Sequence, residues 1–362
     1  MFPVMRTDLV NPSDLRVWGK ESLDFVLGEY AIPGGDYFSD VVRDGKRSEQ
    51  PAFDWGVGVM LSALNASAGT LPNYRPALAK FADASLTYWD PSPPVPGFNV
   101  LPHSTSGDRY YDDNEWMVLA LFDSADVLKD RRYVDWALKD LTYVLSGEDS
   151  TLGGGIYWRE KGKTSKNTCS NGPAVAGCVE AYRHTKKPEY LDQAKKLYAW
   201  TKQHLQDTDG LFYDNIRLDG GLERTKWSYN TALMLRSAVQ LFETTKEPAY
   251  QSDAHLMLDS SLNHWLGADG AIHDGGRFAH LLLGAWIRSY AILPKSDPLR
   301  AKIVGAVRSS LSYVHDNCRR DQYYGDRWDR PVPAGKNNLE LIDQASVIRG
   351  YFDGARFLSS LH

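Results

Sequence analysis

A chain of 362 residues with 43% hydrophobic content can bury one large core, although its length alone equally permits two or three ordinary domains. The formal net charge of −5 is small for this size and the 41 basic residues form no run that could track phosphates, which argues against nucleic acid as a partner. No stretch approaches the roughly 18 to 20 uninterrupted apolar residues of a membrane span, so none is expected.

In chain order, residues 1 to 14 carry Pro3, Arg6, Asp8, Asn11 and Pro12 and lack the apolar centre of a signal peptide, a start that fits a cytosolic protein or an exported one whose leader is gone. The segments that follow sort into two alternating types, with little strand alternation among them. One-sided helices are expected near residues 15–30, 74–88, 132–147, 188–205, 249–266 and 298–317. In Pro188 to Leu205 the apolar stripe is Leu191, Ala194, Leu197, Tyr198, Thr201 and Leu205, while Asp192, Lys195, Lys196 and Lys202 face water. Between these lie segments apolar almost all round: Trp55 to Ala68, Trp116 to Ala125, Pro173 to Tyr182, Thr231 to Phe242, Phe278 to Leu293 and Leu341 to Leu358. A helix of that kind must be covered on several sides. Six of each type make six hairpins, and the arrangement that covers every second helix is an inner ring inside an outer ring. The expected fold is therefore all-α, an (α/α)6 barrel formed as one domain over residues 1–362.

The loops after the one-sided helices repeat as well: Gly35-Asp36-Tyr37-Phe38, Gly154-Gly155-Ile156-Tyr157, Asp209-Gly210-Leu211-Phe212, Asp269-Gly270-Ala271-Ile272 and Asp321-Gln322-Tyr323-Tyr324, with Gly97-Phe98 in the remaining place. A recurring unit of this length marks a repeat architecture. In a closed ring these loops gather at the entrances of the inner helices, so function is sought at the helix starts. The 11 Trp and 20 Tyr lean towards carbohydrate, because flat rings with a polar edge suit the faces of sugars.

The fourth helix opens with Tyr110-Tyr111-Asp112-Asp113-Asn114-Glu115-Trp116 before an apolar run from Val118 to Phe122. One aspartate would suffice as a cap or as a charge at the positive end of the dipole. Two, beside paired tyrosines and Glu115, point to chemistry. Glycoside hydrolysis needs one carboxyl to protonate the leaving oxygen and another to attack the anomeric carbon or activate water, about 5 to 5.5 Å apart in the retaining arrangement. Neighbouring residues can span that, and mutual repulsion would raise the proton affinity of one while dipole and N–H donors keep the other ionised. Spacing does not say which is which. A diphosphate-binding DDxxD pattern is excluded by Trp116 in its fifth position. Cys169, Cys178 and Cys318 show neither zinc spacing nor a disulfide framework and read as small buried hydrophobes. Trp158 and Trp227 are equally suited to stacking on sugar and to plugging a core, His273 beside Asp274 reads as a ligand-contacting or structural pair, and Asp54 reads as the cap of the second helix.

Tyr111-Asp112-Asp113-Asn114-Glu115-Trp116 resembles glycoside hydrolase family 76, the endo-acting α-1,6-mannanases. The likeness runs from about Trp55 to Tyr290 and includes Gly153-Gly154-Gly155-Ile156-Tyr157-Trp158, Lys166-Asn167, Ser170-Asn171, Trp227-Ser228-Tyr229-Asn230 and Asp274-Gly275-Gly276-Arg277-Phe278. It implies a retaining mechanism in which Asp112 is the nucleophile and Asp113 the acid/base. It also implies a substrate-binding set of Tyr111, Trp158, Asn171, Trp227, Tyr229, Asn230, Asp274 and Phe278. No cofactor and no metal are required; the partner is an α-mannan polysaccharide or manno-oligosaccharide, met outside the cytoplasm by a secreted, periplasmic or cell-surface monomer. Gly172-Pro173-Ala174 departs from relatives that carry an acidic residue there, which leaves the adjoining subsite open. Competing readings are a transglycosidase on the same fold, an epimerase working through histidine pairs, and an α-mannan-binding protein without catalysis.

Overall fold

The computed structural model describes residues 10–361, so most of the N-terminal stretch read for a targeting signal lies outside the described residues. Among them run twelve α-helices: α1 (Pro12–Glu29), α2 (Asp54–Thr70), α3 (Arg75–Ser85), α4 (Tyr111–Leu128), α5 (Arg132–Ser146), α6 (Thr168–Thr185), α7 (Pro188–Leu205), α8 (Ser228–Thr245), α9 (Pro248–Trp265), α10 (Gly276–Ser289), α11 (Leu299–Asn317) and α12 (Leu341–Ser359). No helix among the described residues is long and apolar enough to cross a membrane. Local chemistry sets several of the ends. Asn11 caps α1 in a reciprocal box with Asp14, with Pro12 in the first turn, where its missing N–H costs nothing. Helices α4, α6 and α8 each end on a lysine in the left-handed conformation, Lys129, Lys186 and Lys246, and the next helix begins within a few residues.

The backbone contacts gather into two compact units, one formed by the chain up to Ala84 together with Ser261 onward, the other by Ser85–Ser260. In the second unit α6 packs against α4, α7 and α8; in the first, α12 packs against α1, α2, α10 and α11. Central position and composition agree: burial is unbroken from Gly56 to Ala68 in α2, Asn114 to Phe122 in α4, Lys166 to Val179 through the start of α6, and Leu341 to Ile348 in α12. Strand is confined to pieces of two or three residues in the loops, all paired antiparallel: β1 (Val41–Arg43) with β2 (Lys46–Arg47) and β10 (Asn338–Glu340), β3 (Trp89–Asp90) with β4 (Gly97–Phe98), β5 (Ser165–Asn167) with β6 (Asn215–Arg217) and through it β7 (Leu222–Glu223), and β8 (Arg319–Arg320) with β9 (Tyr323–Tyr324).

The repeated loop signature has a physical basis. Each loop turns back on itself through an antiparallel pairing, Ala31 with Phe38, Trp89 with Phe98, Glu148 with Ile156, Gln206 with Phe212, Leu266 with Ile272 and Arg319 with Tyr324. The second member of every pair is buried. In four loops the backbone N–H of that member is taken by the fourth residue of the following helix: Phe98 by Asn114 Oδ1 at 2.6 Å, Ile156 by Asn171 Oδ1 at 2.7 Å, Phe212 by Thr231 Oγ1 at 3.1 Å and Tyr324 by Gln344 Oε1 at 2.9 Å. The amides of Asn114, Asn171 and Gln344 also donate back to the loop carbonyl and to the residue preceding the helix. A polar fourth residue thus bolts loop to helix where the buried backbone has no water to satisfy it.

Asn114→Leu and Asn171→Leu, which keep the size and remove the bonds, should each cost about 2 to 3 kcal/mol in urea unfolding because buried loop groups are left unpaired. A loss below about 0.5 kcal/mol in either would show that the loop does not depend on the bolt.

Candidate active site

The register of those helix starts decides which side chains reach the entrance. With the fourth residue committed to the loop, the second and third are Asp112 and Asp113 on α4, Cys169 and Ser170 on α6, and Tyr229 and Asn230 on α8; Asp112, Asp113 and Tyr229 keep part of their surface, while Cys169, Ser170 and Asn230 are buried. Tyr110 occupies the cap position of α4 without a side-chain cap bond, so neither aspartate is its N-cap. Asp112 is half-buried. Its Oδ2 accepts from the Trp158 indole Nε1 at 3.0 Å and from Cys169 Sγ at 3.4 Å, while Oδ1 is enclosed without a hydrogen-bond partner. Burial pushes its carboxyl up to about 6, and the two donors and nearby backbone N–H groups oppose that shift. Behind it, Glu115 and Asp140 are fully buried with unpartnered oxygens. Desolvation drives both well above the usual carboxylate range, with the Asp112 charge adding to it for Glu115. Held neutral, they put no charge in opposition to ionisation of Asp112.

Trp158 reaches Asp112 because its strap is clamped from several sides. Its N–H donates to Ser165 O at 3.2 Å and its carbonyl accepts from Tyr111 N at 3.0 Å. Upstream, the ammonium of fully buried Lys166 donates to Asp149 Oδ1 at 2.9 Å and to the carbonyls of Asp149, Thr151 and Gly154 at 3.3, 2.8 and 2.6 Å. Gly155 has φ +79° and a side chain there would meet the Trp200 ring at 2.5 Å, so the close approach of Trp200 as well as the backbone demands glycine. The indole of Trp158 is therefore a hydrogen-bond donor to the carboxylate. Its ring is 36% exposed, and that of Trp227, at the cap of α8, 39%; both keep a face that a sugar could cover.

Not every expected contact residue comes forward. Tyr111 is buried, stacked on Tyr143 at 5.0 Å, with Arg109 over the far ring at 4.8 Å; it supports the helix start from below. Asn171 is fully buried with both amide hydrogens and its oxygen spent on backbone, because it is the fourth residue of α6. The residue of α6 in the register of Asp112 is Cys169, read from sequence only as a buried hydrophobe. Asp214 was also missed: its Oδ1 accepts from Asn230 Nδ2 at 3.3 Å. Asn230 Oδ1 is buried without a hydrogen-bond partner. Asp214 follows the buried loop residue Phe212 by two positions, as Asp274 follows Ile272, so the loop repeat carried a signal for it.

In the other unit, Asp274 is buried beside the start of α10 and accepts from Gly275 N at 2.7 Å. Phe278 is half-buried and stacked on Trp55 at 6.0 Å, with the Arg277 guanidinium 5.7 Å from the same Trp55 ring and bonded to Asp343 Oδ1 at 3.0 Å and Glu340 Oε2 at 2.8 Å. His273 pairs with Asp269 at 3.0 Å in the exposed loop turn; Asp274 is not its partner in that pair. Asp54 is the first residue of α2, whose cap position is filled by Phe53.

Residues 42–345 match the model of glycosyl hydrolase family 76. A mannan endo-1,6-alpha-mannosidase of Candida glabrata is 30% identical over 130 residues, 33% of this chain and 29% of that protein, so the match spans under a third of that relative's length. The structure of a GH76 alpha-mannanase from Bacteroides thetaiotaomicron superposes with a TM-score of 0.88 at 27% identity, over 96% of this chain and 97% of that one. A Salegentibacter alpha-1,6-mannanase, as an inactive variant in complex with alpha-1,6-mannotriose, gives a TM-score of 0.83 at 22% identity over 95% and 100%. The fold class is the all-α (α/α)6 type of these structures.

The raised Asp112 carboxyl predicts a stability effect of known sign. Between about pH 4 and 6 the folded chain holds a proton that the unfolded chain has lost, so this group's contribution declines as pH rises through that window, in total by an amount on the order of 2 to 3 kcal/mol. Asp112→Asn should therefore be more stable than the wild type above pH 6 and lose the advantage at pH 4. Thermal melts at both pH values that differ by the same amount would contradict it.

Proposed function

The chain belongs to glycosyl hydrolase family 76, and from that premise we propose that it is a retaining endo-α-1,6-mannanase acting on α-mannan backbones. The observation that carries this reading is the Asp112 carboxylate, held on one oxygen by two donors with the other oxygen enclosed and uncommitted, next to a second, half-buried carboxyl on Asp113. The relatives named for mannan and for endo-1,6 action support the substrate and the mode of attack.

In the proposed reaction the Asp112 carboxylate attacks the anomeric carbon as Asp113 gives its proton to the departing glycosidic oxygen, leaving a glycosyl ester on Asp112. Asp113, now ionised, takes a proton from water; the water oxygen attacks the same carbon, the ester bond breaks and Asp112 is released as carboxylate. Two inversions retain configuration. The indole N–H of Trp158 stabilises the carboxylate before and after reaction. The exposed surfaces of Trp158 and Trp227 offer stacking for neutral sugar rings, and Tyr229 and Asp214 supply polar groups, with buried Asn230 bonded to Asp214 from behind. In the other unit, taken by itself, Asp274 and Phe278 at the start of α10 are proposed as sugar contacts. Tyr111 and Asn171 are left out of the contact set.

The family match runs through both compact units, which supports treating the chain as one catalytic domain. We further propose a monomer working outside the cytoplasm, where mannan is met. A histidine-based epimerase gains no support, since His280 is enclosed in α10 and burial pushes its ring down to about 3. A transglycosidase would share the first step and differ in the acceptor.

On debranched linear α-1,6-mannan the wild type should release short oligosaccharides, with Asp112→Asn and Asp113→Asn each folded and slower by about 1,000-fold or more. Azide should rescue Asp113→Asn on substrates with good leaving groups; rescue of Asp112→Asn instead would exchange the two roles. Binding without release by the wild type would turn the reading to a mannan-binding protein, and products longer than the substrate to a transglycosidase.

A further inference from the structure

The second residues of α4, α6 and α8 are Asp112, Cys169 and Tyr229, and they are joined to one another. Cys169 Sγ lies 3.4 Å from Asp112 Oδ2, and the Tyr229 hydroxyl is hydrogen-bonded to the same thiol. Cys169 is 2% exposed, so water does not compete for either contact. A cysteine serving only as a small hydrophobe would have no need of a carboxylate on one side and a phenol on the other.

We propose that Cys169 and Tyr229 are positioning residues for Asp112: the tyrosine O–H donates to the thiol sulfur and the thiol S–H donates to Asp112 Oδ2. With the Trp158 indole on the same oxygen, the chain fixes the plane of the carboxylate. This rests on the reading of Asp112 as the essential carboxylate.

The direction of the chain follows from the charges around it. Asp112 is faced by the backbone N–H of Asp113 and by Glu115 from its own helix, by Cys169 from α6, by Tyr229 from α8 and by Trp158 from the strap, with Asp140 from α5 acting on Glu115 and Asp214 on the thiol and the phenol. Desolvation first, then the charges of Asp112 and Asp214, hold the proton on Cys169. Desolvation, with charge at Cys169, Asp214 and Asp112, does the same for Tyr229. Both groups thus remain donors. A thiolate at this place would repel the carboxylate it now supports.

The Trp158 indole N–H bonded to Asp112 supplies a readout that needs no turnover. Its proton–nitrogen resonance, identified by its loss in Trp158→Phe, should titrate in the wild type with a midpoint near 6. In Cys169→Ala the midpoint should climb by about half to one pH unit as the donor is lost, Tyr229→Phe should move it the same way by less, and Cys169→Ser should restore it. The acidic limb of kcat/KM on α-1,6-mannan should move in parallel, with melting temperatures showing each variant folded. An unchanged midpoint in Cys169→Ala, failure of serine to restore it, or no titration of the wild-type indole would each overturn the proposal. A wild type inactive on mannan whose indole still follows this pattern would remove the mannanase reading and leave the hydrogen-bonded chain standing.

Discussion

A carboxylate at the second position of a helix whose following turns are apolar must find its solvation in the protein, and much of the site is organised around that requirement. Asp112 has half of it met: one oxygen receives an indole N–H and a thiol, the other receives nothing. In the proposed reaction that imbalance matters: full satisfaction would stabilise the anion and lower its nucleophilicity, whereas no donors would leave it protonated at the pH where it is to attack. The neutral carboxyls of Glu115 and Asp140 behind it let the interior accept one negative charge without a second beside it.

Holding the indole in place falls to buried residues in and around the strap. Lys166, enclosed and bonded to three carbonyls and one carboxylate, fixes the glycine-rich loop, and the fit of Trp200 over Gly155 sets its path. Three residues later the chain delivers Trp158. Such a strap tolerates few changes, since a side chain at Gly155 would meet both a forbidden φ and a ring. Its rigidity is the reason that a loop residue can act as a precise donor.

The same unit of loop, buried apolar residue and polar fourth helical residue recurs along the chain with different second and third residues each time. On α4, α6 and α8 those positions carry Asp112, Cys169 and Tyr229 with their neighbours; α12 carries Asp343 there, and α10, whose fourth residue is Ala279 and which has no such bolt, carries Arg277 and Phe278. Arg277, Phe278 and Asp343, with Trp55, form an ion pair lying against an aromatic stack, where burial pushes Asp343 up to about 6 against the pull of Arg277. A repeat fold can vary its chemistry at these two positions without disturbing the bolts that hold each loop.

Helix number, the alternation of one-sided and all-round apolar helices, the recurring loops and the two aspartates were all legible in the residues, because each rests on local periodicity or on a short motif. The family resemblance rested on motifs of the same kind. Register within each helix start was not legible. Asn171 and Cys169 stand two residues apart, and only the bond between the Asn171 amide and the Ile156 backbone shows that the asparagine turns to the loop and the cysteine to the carboxylate. Likewise Tyr111 and Trp158 both read as sugar contacts, yet the packing of Tyr143 enclosed the first and the strap turned the edge of the second onto Asp112. Composition and spacing determine which side chains are available at a helix entrance. Which of them face Asp112 is decided by the tertiary bonds that consume the others, since a donor hydrogen given to one acceptor is not available to another.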